Sequence, residues 1–202
     1  MIDLAQNCGC VLRKEHEAST QELIMVTTLT MISSINNHTT VMFHEVEDIN
    51  EAQTMRRIRN ECREYMTKNS DLISKEDQAI WFNGLDRDNI KMYIMFESYF
   101  GVVFSPIGFG YCRHVDDETY LTGGLITDSR GKGYGRILFQ HLLDKAKTFN
   151  TKITLEVLQT NAVAQKLYTS IGFVPYYSDD RIIKIKCSSN SSSSITCCRK
   201  YI

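Results

Sequence analysis

The stretch DSRGKGYGRILFQ, Asp128 to Gln140, decides how the rest of the chain reads. Its first nine positions hold three alternating glycines (Gly131, Gly133, Gly135) and three basic residues (Arg130, Lys132, Arg136), after which it turns apolar. A glycine-rich turn that opens a helix lets backbone N–H groups converge where the helix dipole favours negative charge. Phosphate or pyrophosphate suits such a loop. The spacing is neither the G-x-x-x-x-G-K-[ST] of a P-loop nor the G-x-G-x-x-G of a dinucleotide turn. A plain solvated turn has the same composition, so the neighbouring segments have to identify the occupant.

Downstream of the loop, Leu138, Leu142, Ala146 and Phe149 repeat at helical spacing, predicting a helix from about Gly133 to Thr148. A strand over Lys152 to Leu158 follows. Asn161 then caps a helix that turns Ala164, Leu167, Tyr168 and Ile171 inward and closes at Gly172. Phe173 to Tyr177 and Arg181 to Lys186 read as final strands. Upstream, Lys91 to Tyr99, Ile107 to Val115 and Thr119 to Ile126 read as a three-stranded meander. Before it come a strand at Val41 to Val46, an amphipathic helix from Glu51 to Met66, and a second helix opened by Ser74 and Asp77 that runs through Trp81 and Phe82. A meander joined to a strand-helix-strand unit predicts one α/β (α+β) domain. Its sheet is expected to be mixed, mostly antiparallel and six- to seven-stranded, with helices on both faces.

That domain is expected to span residues 41–186. Residues 1–40 read as an N-terminal extension with a helix near Gln21 to Ile35. Residues 187–202 form a Ser-rich tail too poor in large apolar groups to offset ordering entropy, and are expected to be disordered. The formal charge of −1 over 202 residues argues against a nucleic-acid binder and makes any anion site local. No run approaches the roughly 18–20 apolar residues of a membrane span, and the N-terminus lacks a basic leader. A cytoplasmic protein with no membrane partner is expected. The seven cysteines form an odd set without C-x-x-C, which predicts reduced thiols and no metal site.

Arg130 to Gly135 fits the pattern [RQ]-x-x-G-x-[GA], and NAVAQKLYTSIGF, Asn161 to Phe173, follows it with Leu155-Glu156-Val157 just before. In this order the segments resemble the GCN5-related N-acetyltransferase (GNAT) superfamily, over roughly Val41 to Lys186. The resemblance implies acetyl-coenzyme A as co-substrate. Gly131, Gly133 and Gly135 would supply backbone donors to its pyrophosphate, joined by Arg130, Lys132, Tyr134 and Arg136. Gly123, Gly124 and Leu125 stand where the family's bulged strand meets the pantetheine arm, and Asn161 matches a cofactor contact. Thr127 stands where many members carry Pro.

Transfer to an amine needs a base for the ammonium proton and an acid for the leaving thiolate. The resemblance assigns Tyr168 as acid and Glu156 as base; Glu97, Glu118 and His114, on or beside strands that could face the cleft, are other candidates. No metal is required. Arg59, Asn60, Met66 and Trp81 resemble the acceptor wall of the branch that acetylates nucleotide-linked amino sugars. The acceptor expected is therefore a small-molecule amine. A protein N-terminus or lysine is the alternative, and a non-catalytic acyl-coenzyme A sensor is an alternative of another class. A monomer or homodimer is expected.

Overall fold

Met92, Ile94 and Phe96 alternate along one segment with Tyr93 and Met95, and all five are buried, so the strand they form is covered on both faces. A computed structural model describes residues 30–36, 39–99 and 103–188 and shows what covers them. In chain order the elements are β1 (Thr30–Asn36), β2 (Thr39–Glu45), α1 (Ile49–Glu61), α2 (Lys75–Asn83), β3 (Ile90–Tyr99), β4 (Val103–Val115), β5 (Glu118–Leu125), α3 (Tyr134–Ala146), β6 (Lys152–Leu158), α4 (Ala162–Ser170), β7 (Phe173–Ser178) and β8 (Ile182–Cys187). They build one sheet in the order β1-β2-β3-β4-β5-β6-β8-β7. Every pairing is antiparallel except β5 with β6, which α3 connects as a crossover.

The helices divide between the two faces. Ala52, Met55 and Ile58 of α1 and Phe82 of α2 pack with Met92, Ile94 and Phe96 in one core. Leu138, Leu142 and Ala146 of α3 and Tyr168 of α4 pack with Tyr93, Met95, Leu155 and Val157 in the other. The expected mixed sheet with helices on both faces is what the chain forms.

Local chemistry sets the element ends. Asp48 caps α1 by accepting from the Glu51 N–H at 2.9 Å, while the Glu51 carboxylate accepts from the Asp48 N–H at 3.2 Å, a reciprocal capping box. Ser74 caps α2 by accepting from the Asp77 N–H at 3.0 Å. Gly172 follows α4 with φ +95°, the left-handed conformation glycine adopts without a Cβ penalty.

Two expectations need correction. The helix expected near Gln21 to Ile35 is, in its described part, the strand β1, so the sheet has eight strands and its outer hairpin crosses the expected boundary at residue 40. β-Branched Thr30, Ile32 and Ile35 favour extended backbone, and the edge of β2 supplies the partner. The helix expected to reach Met66 ends at Glu61, and a single 3-10 turn over Arg63–Tyr65 hands the chain to extended backbone at Met66. The expected tail beyond residue 188 lies outside the described residues. Among the described residues, no helix is long and apolar enough to cross a membrane.

One buried titratable group bears on stability. The His141 ring on α3 stacks on Phe43 at 3.9 Å and meets the edge of Tyr93 at 4.7 Å. Burial, with Lys145 adding repulsion, lowers its pKa from 6.5 to about 4. The folded state therefore disfavours the imidazolium that the unfolded chain forms below pH 6.5. His141's contribution to stability is complete above about pH 6.5 and is lost as pH falls toward 4. A shift of that size corresponds to about 3 kcal/mol. Denaturant unfolding at pH 7 and pH 4.5 is expected to show this loss, and His141→Leu is expected to flatten it; an equally steep pH dependence in the variant would assign the effect to other groups.

Candidate active site

The parallel ladder between β5 and β6 covers only Glu118–Tyr120 with Lys152–Thr154, although β5 continues to Leu125 and β6 to Leu158. Beyond Tyr120 the two strands part. A cleft of about 730 Å³ opens there, lined by Gly123 of β5, Glu156 of β6, Asn161 and Tyr168 from the α4 segment, and Met66 and Trp81 from the α1–α2 side. Residues separated by more than a hundred positions thus meet in one cavity.

The glycine loop enters α3 through two left-handed residues, Gly131 at φ +76° and Gly133 at φ +87°, and no atom lies within 4 Å of where a Cβ would sit on either. Gly133 is the N-cap of α3, which has no side-chain cap, so the first N–H groups of a 13-residue helix face the loop. Lys132 and Arg136 are exposed, and Arg136 donates to Ser170 Oγ at 2.8 Å. Gly135 answers to packing, since a Cβ there would lie 3.1 Å from Leu167 of α4.

Two side chains of the loop turn inward. Tyr134 is buried and its hydroxyl donates to Glu97; burial and that bond raise its pKa. It can therefore serve an anion only through its backbone. Arg130 donates from Nε to the Leu125 carbonyl at 3.1 Å, lies 3.6 Å from Glu64 and stacks 4.8 Å over the Tyr65 ring. Arg130 fastens the loop to the end of α1 rather than presenting charge at its rim.

The same end of α1 makes two further attachments. Cys62 donates to the Leu125 carbonyl at 3.0 Å, and burial pushes its thiol pKa up to about 11. Glu61 accepts from the Thr127 N–H at 2.6 Å. That bond accounts for Thr127 at the loop entry, because a proline there has no N–H to give. The Leu125 carbonyl is thus engaged within the protein.

The expected bulge in β5 is absent. Pairing with β4 runs without a shift from Gly108↔Leu125 to Val115↔Glu118. The glycines instead admit neighbours: a Cβ on Gly123 would lie 2.9 Å from the Phe109 carbonyl oxygen, and one on Gly124 would lie 3.0 Å from Cys62 Sγ.

Tyr168 lines the cleft from a buried position, with its ring edge-on to Phe139 at 4.8 Å. Burial raises its pKa, and its hydroxyl has no hydrogen-bond partner among the described residues. Asn161 caps α4 by accepting from the Ala164 N–H at 3.1 Å. Glu156 accepts from Thr67 Oγ1 at 3.2 Å through one oxygen and lies 3.5 Å from Lys184 Nζ through the other. It also borders a second cavity of about 410 Å³ on the β6-β8-β7 side.

The other base candidates are committed elsewhere. Glu97 is buried beneath Tyr134 and Tyr99, Glu118 pairs with Lys152, and His114 stacks on Phe149 at 5.3 Å. Among the described residues, no group of three His, Cys, Asp or Glu side chains gathers as a metal site.

Of the residues expected at the acceptor, Met66 and Trp81 line the cleft, with Trp81 tilted against Tyr111 at 6.5 Å. Arg59 also lines the cleft and Asn60 does not, and both spend their bonds on the loop after α1. Arg59 donates to the carbonyls of Asn69 and Asp71, and Asn60 exchanges bonds with Ile73 at 2.9 and 3.0 Å. Burial lowers the Arg59 pKa. Sequence spacing missed Thr67, Cys62 and Glu61, whose partners lie more than sixty residues away. No local signal marks them.

Arg59→Ala is expected to lower stability by about 1–3 kcal/mol in urea unfolding, because loop carbonyls lose charged donors. Wild-type stability combined with weakened acceptor binding would return Arg59 to the acceptor.

Residues 52–173 match the model of the acetyltransferase (GNAT) family. The fold is similar to the GNAT domain of S. lividans PAT (TM-score 0.62, 14% identity, covering 78% of this chain and 95% of that one). It is also similar to spermidine N-acetyltransferase from Vibrio cholerae in complex with CoA and spermine (0.58, 20%, 75% and 94%) and to ribosomal-protein-alanine N-acetyltransferase from Brucella melitensis (0.58, 16%, 71% and 97%). A search of curated proteins returns no match. With the family match spanning the cleft, the glycine loop and both candidate catalytic side chains, the chain belongs to the acetyltransferase (GNAT) family and is an N-acetyltransferase with acetyl-coenzyme A as co-substrate.

Proposed function

We propose that the chain moves an acetyl group to the primary amine of a small molecule, such as a nucleotide-linked amino sugar, with Tyr168 as general acid and Glu156 as general base. One observation carries the reading: Tyr168, Glu156, Asn161 and Gly123 line a single cleft where β5 and β6 part, with the α1–α2 wall facing them.

The chain's residues fit the co-substrate. Left-handed Gly131 and Gly133 leave open space over the backbone at the start of α3, and Lys132 and Arg136 stand exposed beside it. These groups would hold the pyrophosphate, with Tyr134 adding its backbone N–H and Arg130 holding the loop in place. When bound, acetyl-coenzyme A supplies an activated thioester.

Tyr168 keeps its proton at neutral pH because burial raises its pKa, and its hydroxyl has no competing acceptor among the described residues. It is poised to donate to a developing thiolate. Glu156 takes the proton from the acceptor's ammonium, oriented by Thr67 on one oxygen and Lys184 on the other. Asn161 fixes the start of α4 and therefore the direction from which Tyr168 enters the cleft.

Tyr168→Phe is expected to lower kcat roughly 100-fold or more while leaving acetyl-coenzyme A affinity unchanged, read as acceptor-dependent thiol release and as ligand-induced thermal shift. Wild-type turnover in the variant would remove Tyr168 as the acid. A thermal shift without thiol release from any amine, in the unmodified chain, would favour a sensor instead. Glu156→Gln is expected to slow turnover most at low pH, where the amine is hardest to deprotonate. A pH–rate profile parallel to that of the unmodified chain would point to another base.

A further inference from the structure

The outer half of the cleft carries charge that the proposed acid and base do not use. Along β4 the side chains of Phe109, Tyr111, Arg113 and Val115 share the α1–α2 face, running from a fully buried phenylalanine to an exposed mouth. Arg113 lines that mouth and is exposed, and its guanidinium has no hydrogen-bond or ion-pair partner among the described residues. Directly opposite it in the β4–β5 ladder stands Tyr120. Cross-strand partners project to the same side of the sheet. Lys68, from the loop after α1, holds its ammonium 5.3 Å over that same Tyr120 ring and makes no ion pair among the described residues. One cation therefore sits over this ring, and a second stands at the paired position on the neighbouring strand.

The carboxylates of the cleft do not balance them. Its charged lining consists of four cations, Arg56, Arg59, Lys68 and Arg113, and two carboxylates, Asp77 and Glu156. Asp77 accepts from the Ser74 hydroxyl at 2.8 Å, and Glu156 is engaged by Thr67 and Lys184. Arg56 and Arg59 are spent on carbonyls of the loop. Arg113 and Lys68 line the cavity without an ionic partner among the described residues, in a chain whose formal net charge is −1. A concave wall with uncompensated positive charge raises the local concentration of anions and repels a second ammonium.

We infer that Arg113 and Lys68 form an anion subsite, so that the acceptor is an amine that also carries a carboxylate or phosphate, and that polyamines are disfavoured. This rests on the transferase reading of the cleft and narrows it. A nucleotide-linked amino sugar meets the requirement through its phosphates. The arrangement places the acceptor's anion at the mouth and its amine toward Glu156.

The test measures equilibrium binding to the full chain saturated with coenzyme A, using matched pairs. Glucosamine 6-phosphate against glucosamine reads phosphate, alanine against alaninamide reads carboxylate, and spermidine serves as the polycation. In at least one pair the anionic member is expected to bind about tenfold tighter, the scale of one charge-assisted contact. Arg113→Ala and Lys68→Ala are each expected to shrink that preference, with Arg113→Lys retaining part of it. Acetyl-coenzyme A affinity and Tm should stay at their wild-type values, because both side chains are exposed at the mouth without polar partners among the described residues. Charge-blind binding, tighter binding of spermidine, absence of binding by every probe, or a preference untouched by Arg113→Ala would each overturn the subsite. Failure of acetyl-coenzyme A itself to bind would instead overturn the transferase reading, so the two failures are separable.

Discussion

Three paired residues join β5 to β6, and the site depends on how early that pairing stops. A parallel pair has to be bridged by a crossover, here α3, and the crossover brings the glycine loop and the α3 N-terminus to the end of β5. Had the ladder continued to Leu125, backbone hydrogen bonds would fill the space that the cleft occupies. The antiparallel β6–β8 pairing holds the far side, because Thr154 to Leu158 is matched residue for residue with Ile182 to Lys186. Glu156 can therefore sit on a firmly paired strand and still face open space.

Holding the strands apart requires an anchor on the near side, which α1 supplies. Its last residue and the turn after it converge on the exit of β5: Cys62 and Arg130 share the Leu125 carbonyl, Glu61 takes the Thr127 N–H, and Glu64 and Tyr65 hold the Arg130 guanidinium. Gly124 makes this approach feasible, since a side chain there would collide with Cys62. Polar groups inside the protein are largely engaged, as with Arg59 on the loop carbonyls and Tyr134 on Glu97. Among the described residues, the Tyr168 hydroxyl and the Lys68 and Arg113 side chains of the cleft have no hydrogen-bond or ion-pair partner.

Much of this was legible beforehand. Helical and strand periods marked every element from β2 to β8, and Ser74, Asn161 and Gly172 punctuated the helices where their cap chemistry predicts. The sequence suggests a helix where β1 forms, because Thr30 to Asn36 has no clean alternation and gains its conformation from the edge of β2. Gly131 and Gly133 adopt the left-handed backbone that a glycine turn suggests, while Gly135 serves packing against Leu167; spacing records which residues lie in a loop and not which way Arg130 and Tyr134 turn. Gly123 and Gly124 pointed to close approach, yet the groups that approach are Phe109 and Cys62.

The glycine turn proposed to hold the donor was determined by the sequence alone. A phosphate-binding turn is made of consecutive residues whose conformations follow from glycine content and helix position, so its chemistry can be read in order along the chain. The acceptor side was decided only by tertiary structure. Arg59 and Arg113 look equivalent as letters, but one is buried against carbonyls ten and twelve positions downstream and the other faces a cavity. Which charge is spent within the protein and which remains for a ligand depends on contacts between distant segments, and local spacing carries no record of those.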